Sequence, residues 1–202
     1  GVSQSATVVF CVEAGPMERQ AALLAESLRR WGGRFASSPI LAIRPRFGPP
    51  LQRATRRAFD ALGVTYRRVR PTHGCWWYGT INKPTALAAA EEIADTDLIL
   101  WFDTDTLVVE DLPELDLPAD VDFAARPAES ILGTTGEGSP NDPYWRTVCE
   151  KLGLSYDALP WITSFPEGER IRMYWQGGVY GYRRSTRLAQ THLGIYLRRL
   201  EM

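Results

Sequence analysis

Residues 98–112 read LILWFDTDTLVVEDL, and the fold turns on how that stretch changes character. Leu98–Phe102 is five apolar residues in a row, the pattern of a strand buried on both faces of a parallel sheet. At Asp103-Thr104-Asp105 the run gives way to carboxylates, so the chain leaves the sheet there for a polar surface. Working back from that strand, a helix from about Pro84 to Ala94 precedes it, and Val64–Val69 reads as a strand before the helix. Earlier still, Thr7–Val12 is a β-branched strand followed by Gly15-Pro16. A helix with Leu24, Leu28 and Trp31 at helical spacing comes next and stops at Gly32-Gly33. Ile40–Ile43 is a second strand, and Leu51–Leu62 a helix that opens after Pro49-Pro50 and closes at Gly63. Strands and helices alternating in this way predict an α/β fold with a central, mainly parallel sheet and helices on both faces.

Beyond Asp105 the rhythm breaks. Leu107–Val109 and Val121–Ala125 read as short strands, and Pro127–Asp142 as a Gly/Ser/Pro-rich loop. A helix over Tyr144–Leu152, an aromatic-rich strand region over Arg172–Tyr182 broken by Gly177-Gly178, and a last helix over Thr186–Leu200 complete the chain. With 202 residues the expectation is one domain spanning 1–202, whose C-terminal end, directly after a helix, leaves room for a missing element. Hydrophobic residues make up 45% and charged residues 23%, and no apolar run approaches the ~20 residues that span a bilayer. Residues 1–12 lack the order of a signal peptide, and three widely spaced cysteines do not form a disulfide framework, so a reducing cytoplasm is expected. A net charge of −1 gives no pull toward nucleic acid. The basic residues are 21 arginines against only Lys83 and Lys151.

On extended backbone, residues two apart point to one side with Cα atoms about 6.5–7 Å apart, so Asp103 and Asp105 can reach a single hard cation. Manganese or magnesium held by such carboxylates neutralises a departing diphosphate. Ligands of open parallel sheets bind beyond the carboxyl ends of the strands, where these aspartates fall. An identical tripeptide, Asp95-Thr96-Asp97, supplies an internal control. It precedes the strand, at the amino end, and reads as a turn cap between Ala94 and Leu98.

In this context Leu98–Leu112 resembles the DxD segment of the GT-A glycosyltransferases, especially those ending D-x-D-T-x-V-x-x-D-L. The resemblance implies a Rossmann-like GT-A fold and a nucleoside-diphosphate sugar as donor. It puts Asp103 at the ribose and metal region, and Asp105 on the divalent ion and diphosphate. Asn82-Lys83-Pro84-Thr85-Ala86-Leu87 resembles the helix start upstream of the DxD, and Gln176-Gly177-Gly178-Val179 the N-x-G-V strand with Gln176 for the usual Asn. Cofactor- and donor-binding candidates are therefore Glu13, Lys83, Asp103, Asp105, Gln176 and Gly177, with Asp103 and Asp105 also the metal ligands. Glu13 enters by position, after the first strand, in the loop that receives the base in this fold. Lys83 stands at a helix start, where a bound phosphate would reconcile a cation with the macrodipole. No C-terminal histidine matches the third metal ligand of many GT-A enzymes; His192 lies within the last helix.

Other features carry less. Trp76-Trp77-Tyr78 is expected to be partly buried, with Tyr78 facing the site. His73 and Cys75 are too few for a zinc site. The eight arginines between Arg44 and Arg70 read as a solvated face. Glu137, Asp142 and Glu167 are open as a base, and the catalytic residue stays unassigned. Alternative readings are a non-catalytic nucleotide-sugar-binding domain and a haloacid-dehalogenase-type phosphohydrolase, whose motif also pairs two aspartates after an apolar strand. No G-x-G-x-x-G or P-loop motif supports a dehydrogenase or P-loop enzyme.

Overall fold

The computed structural model describes residues 5–75 and 77–200. Its elements run β1 (Ala6–Cys11), α1 (Pro16–Trp31), β2 (Ile40–Arg44), α2 (Arg53–Ala61), β3 (Val64–Arg68), α3 (Asn82–Ile93) and β4 (Leu98–Phe102), the predicted alternation. They continue with β5 (Phe123–Pro127), α4 (Asp142–Leu152), β6 (Trp161–Thr163), β7 (Arg170–Arg172), β8 (Trp175–Arg183) and α5 (Leu188–Leu200). The main sheet has the order β3-β2-β1-β4-β8-β5, and β1 pairs in parallel with both β2 and β4. Every residue of β1, β2 and β4 is buried, which requires cover on both faces of the sheet. At the edge, β3 exposes Thr65, Arg67 and Arg68.

This order creates the crevice. The chain builds outward from β1 to β2 to β3, then returns to the opposite side of β1 for β4. Connections leaving β1 and β4 therefore diverge, and a ligand crevice opens beyond their carboxyl ends. Glu13 follows β1 and Asp103 follows β4.

Packing divides the chain into two compact units, one reaching Ala124 and resuming at Tyr180, the other Ala125–Val179. In the first, buried carboxylates tie helix ends together. Glu18 accepts the N–H of Gly15 (2.9 Å) at the start of its own helix, the N–H of Gln52 (2.8 Å) and the Thr55 hydroxyl (2.6 Å). Gly15 has φ +107°, which only glycine adopts cheaply, and Pro16 opens α1. Fully buried Glu91 on α3 accepts the N–H groups of Ala189 (2.7 Å) and Gln190 (3.3 Å), satisfying the first turn of α5.

The control tripeptide is structural. Thr96 Oγ1 donates to the Leu98 carbonyl (3.1 Å) beside Thr7 Oγ1 (2.7 Å), and Asp97 accepts Ser185 N–H (3.2 Å) and Arg183 Nη1 (3.3 Å).

In the second unit β6 and β7 pair antiparallel, and the Arg172 guanidinium lies 4.1 Å over the Trp161 ring. Asp142, one of the open candidates for a base, is buried and accepts Arg146 Nε (2.7 Å), Thr134 Oγ1 (3.1 Å) and the Tyr156 hydroxyl. The Tyr156 hydrogen bond leads in holding its carboxyl below the usual range. It is committed to the packing of α4.

Three strand expectations need correction, the first being the break at Gly177-Gly178, which β8 runs through as one continuous strand. Leu107–Val109 is not a strand: Val108 is buried and gives its N–H to Ser27 Oγ (3.0 Å) on α1, while Leu107 and Val109 are exposed. The strand expected at Val121–Ala125 runs instead over Phe123–Pro127.

Candidate functional site

A cavity of about 700 Å³ opens beyond β1 and β4. Glu13, Lys83, Asp103 and Asp105 line it, so four of the six candidates meet in space. The aspartates arrive differently from expectation. Thr106 N–H donates to the Asp103 carbonyl (2.9 Å), so residues 103–106 form a turn rather than continuing as extended backbone. The turn is pinned by Thr104, whose buried hydroxyl donates to the Cys11 carbonyl (2.7 Å) at the end of β1. With Thr104 turned inward, Asp103 and Asp105 still both face the cavity, Asp105 exposed and Asp103 half-buried.

Asp103 Oδ1 is doubly engaged. Trp101 Nε1 donates to it at 2.8 Å, and Lys83 Nζ lies 2.8 Å away as an ion pair. The same ammonium sits 5.5 Å from the centre of the Trp101 ring, a cation–π contact. Lys83 is the second residue of α3.

Glu13 is held still more closely. Arg46 grips it as a fork, Nε to Oε1 at 2.6 Å and Nη2 to Oε2 at 2.6 Å, and Asn82 Nδ2 donates to Oε1 at 2.7 Å. The hydrogen bonding of Arg46 to Glu13 leads in raising the Arg46 guanidinium above its ordinary value. Cys11 beneath gives its thiol to the Asn82 carbonyl (3.7 Å), and burial, reinforced by the Glu13 and Asp103 charges, pushes that thiol up and leaves it inert.

Glu13 and Arg46 also line a second cavity of about 370 Å³, together with Phe47 and Trp77. Its loop is shaped by fully buried Arg44, which donates to the carbonyls of Arg46 (3.2 Å) and Pro49 (2.5 Å). The arginine run of the sequence is thus divided: Arg44 and Arg46 build the site, while Arg53, Arg56, Arg57, Arg67, Arg68 and Arg70 are exposed. Trp77 is 64% exposed rather than partly buried, and it, not Tyr78, lines this cavity. Trp76 lies outside the described residues.

Sequence reasoning missed the contribution of α5. His192 and Tyr196 line the larger cavity together with Lys83, and the Tyr196 hydroxyl bonds Thr80 Oγ1. Burial first, and the Lys83 charge second, lower the pKa of His192 and favour its neutral form. Their spacing of four marked one helix face, but nothing local said which face meets the site. Among the described residues no group of three or more His, Cys, Asp or Glu forms a ready metal cluster. Gln176 and Gly177 lie on β8 within the second unit, where Gln176 Oε1 accepts Gly178 N–H (3.2 Å). Glu167 of that unit receives Ser130 N–H (3.2 Å) and Ser164 Oγ (3.2 Å), and Glu137 is exposed.

The model of the Rhodobacterales glycosyltransferase domain matches residues 8–200, almost the whole chain. The chain belongs to that family. Its fold is that of the GT-A glycosyltransferases. The domain superposes on the galactosyltransferase LgtC, solved with donor and acceptor sugar analogs, with TM-score 0.54 and 15% identity over 95% of this chain and 65% of that one. An active-site mutant of LgtC gives 0.53 at 16%, over 91% and 59%. The glycosyltransferase GlyE of Streptococcus pneumoniae TIGR4 gives 0.50 at 14%, over 95% and 37%. At these identities the likeness shows the fold alone, and the glycosyltransferase domain spans less than two thirds of each of these chains. Comparison with curated proteins finds no match.

Proposed function

We propose that this glycosyltransferase domain moves a sugar from a nucleoside-diphosphate sugar to an acceptor hydroxyl, with manganese or magnesium at Asp103 and Asp105. The observation that carries the reading is the cavity beyond β1 and β4, which Asp103, Asp105 and Lys83 share. Two aspartate side chains beside solvent are hard oxygen donors suited to either ion. When bound, the ion supplies the positive charge that a leaving diphosphate needs.

The protein's own groups do the rest. Lys83 offers an ammonium to phosphate oxygens at the head of α3, whose first N–H groups favour the same charge. Glu13, clamped by Arg46 and Asn82, lines both cavities. The smaller cavity, with Phe47 and Trp77 on its lining, suits the flat apolar faces of a nucleobase. Gln176 and Gly177 are proposed as donor-sugar contacts from the family resemblance. No helix among the described residues is long and apolar enough to cross a membrane; separately, a cytoplasmic location is proposed, where Cys11, Cys75 and Cys149 would stay the free thiols they are here.

A thermal-shift panel of nucleoside diphosphates and their sugars, with and without manganese, tests the reading. The expected result is a manganese-dependent rise in melting temperature that Asp105→Asn abolishes. Stabilisation independent of metal, or unchanged in Asp105→Asn, would overturn it.

A further inference from the structure

We infer that Lys83 couples metal binding to diphosphate binding by exchanging partners, from Asp103 to the diphosphate. The inference rests on the donor reading above and goes beyond it by giving Lys83 two successive partners.

Lys83 Nζ is 2.8 Å from Asp103 Oδ1, and the Trp101 indole N–H is 2.8 Å from the same oxygen. With protein groups alone at the site, the positive charge that Asp103 holds is therefore an ammonium. Both side chains keep partial solvent access, 28% for Lys83 and 37% for Asp103, so the pair can open without unpacking the core. The Trp101 ring 5.5 Å from Nζ gives the ammonium a second favourable contact, independent of Asp103.

Asp103 and Asp105 would hold a divalent ion, and Asp103 would then be shared between that ion and the Lys83 ammonium. Like charges a few ångströms apart repel strongly at the edge of a protein, where the effective dielectric is far below that of water. Metal alone is then opposed by Lys83. A diphosphate would remove the conflict, because its oxygens would accept hydrogen bonds from the ammonium and offset the charge of the ion, and the head of α3 favours anionic charge at the same place. Metal and diphosphate each help the other bind, and that coupling is reciprocal. The other basic groups on the cavity do not substitute for Lys83: Arg46 is locked on Glu13, and His192 is held neutral by burial and by Lys83 itself.

The test compares the wild-type chain, Lys83→Met and Lys83→Arg, each first shown to melt cooperatively. Manganese binding is read by the electron paramagnetic resonance signal of the free ion, with protein alone. Uridine, guanosine, adenosine and cytidine diphosphates are then titrated at saturating manganese. For Lys83→Met the expected result is manganese alone binding about tenfold tighter or more, with the preferred nucleotide binding about tenfold weaker, within the usual 5–150-fold span of such couplings. Lys83→Arg keeps the charge and is expected to bind manganese alone as weakly as the wild type. Manganese affinity unchanged or weakened in Lys83→Met, while the wild type binds metal and nucleotide together, overturns the partner exchange and leaves the donor reading standing. A wild-type chain that binds none of the four nucleotides with manganese overturns both.

Discussion

Replacing Glu18 by alanine removes a carboxylate that is 4% exposed and receives three hydrogen bonds, at 2.9, 2.8 and 2.6 Å. Two of the donors are backbone N–H groups, of Gly15 and Gln52, and the third is the Thr55 hydroxyl, itself buried. Each bond to a charged acceptor contributes about 1.5–3 kcal/mol, and each donor stranded in the interior costs about 1–3 kcal/mol. These are two views of one loss, and water entering the vacated space offsets part of it, so the expected destabilisation is about 3–5 kcal/mol. Against a typical total of about 5–15 kcal/mol, that is a large fraction. The sign of the pH dependence also follows. Burial alone would raise the Glu18 pKa, but its three hydrogen bonds prevail and hold it below the ordinary value of 4.5. A carboxyl lowered in the folded state contributes stability that is present above the unfolded pKa and lost as pH falls through the folded one. Urea unfolding at pH 7 and at steps down to pH 3 measures both effects. The wild type should lose stability on acidification more steeply than Glu18→Gln, which cannot titrate at this position. A loss below about 1 kcal/mol for Glu18→Ala, or identical acid slopes for wild type and Glu18→Gln, would refute the account of the helix junction.

Thr104→Val keeps the shape of a buried side chain but deletes its hydroxyl bond to Cys11, and is expected to cost about 1–2 kcal/mol by urea unfolding. It should also weaken manganese-dependent nucleotide binding in isothermal titration, because the 103–106 turn is no longer tied to β1. Burial lowers the pKa of His192, so its neutral form contributes stability above the unfolded value near 6.5 that is lost as pH falls through the folded pKa. His192→Gln should therefore show a shallower fall in melting temperature between pH 7 and pH 5 than the wild type.

The tertiary structure also explains where local reading stopped short. Leu107–Val109 has strand-like composition, yet the Val108 amide is taken by Ser27 on a helix 81 residues away in sequence, a partner that no local pattern announces. The β6–β7 hairpin has three-residue strands, too short for a period of two to stand out. Trp77 follows no apolar periodicity, and its exposure beside a cavity depends on the loop that buried Arg44 shapes from below.

By itself the sequence determined the alternation of strands and helices, because apolar runs and their Gly and Pro breaks are local properties of the chain. It also determined which of two identical Asp-Thr-Asp tripeptides opens on the cavity beyond β1 and β4, since polarity along a parallel strand separates its amino end from its carboxyl end. Only the tertiary structure decided what surrounds those aspartates. The strand order places Glu13 and Asp103 at neighbouring strand ends, Glu91 docks α5 so that His192 and Tyr196 reach the cavity, and Lys83 meets Asp103 across 20 residues of chain. Hydrogen bonds and ion pairs of this kind depend on distance in space, and a sequence pattern records only distance along the chain.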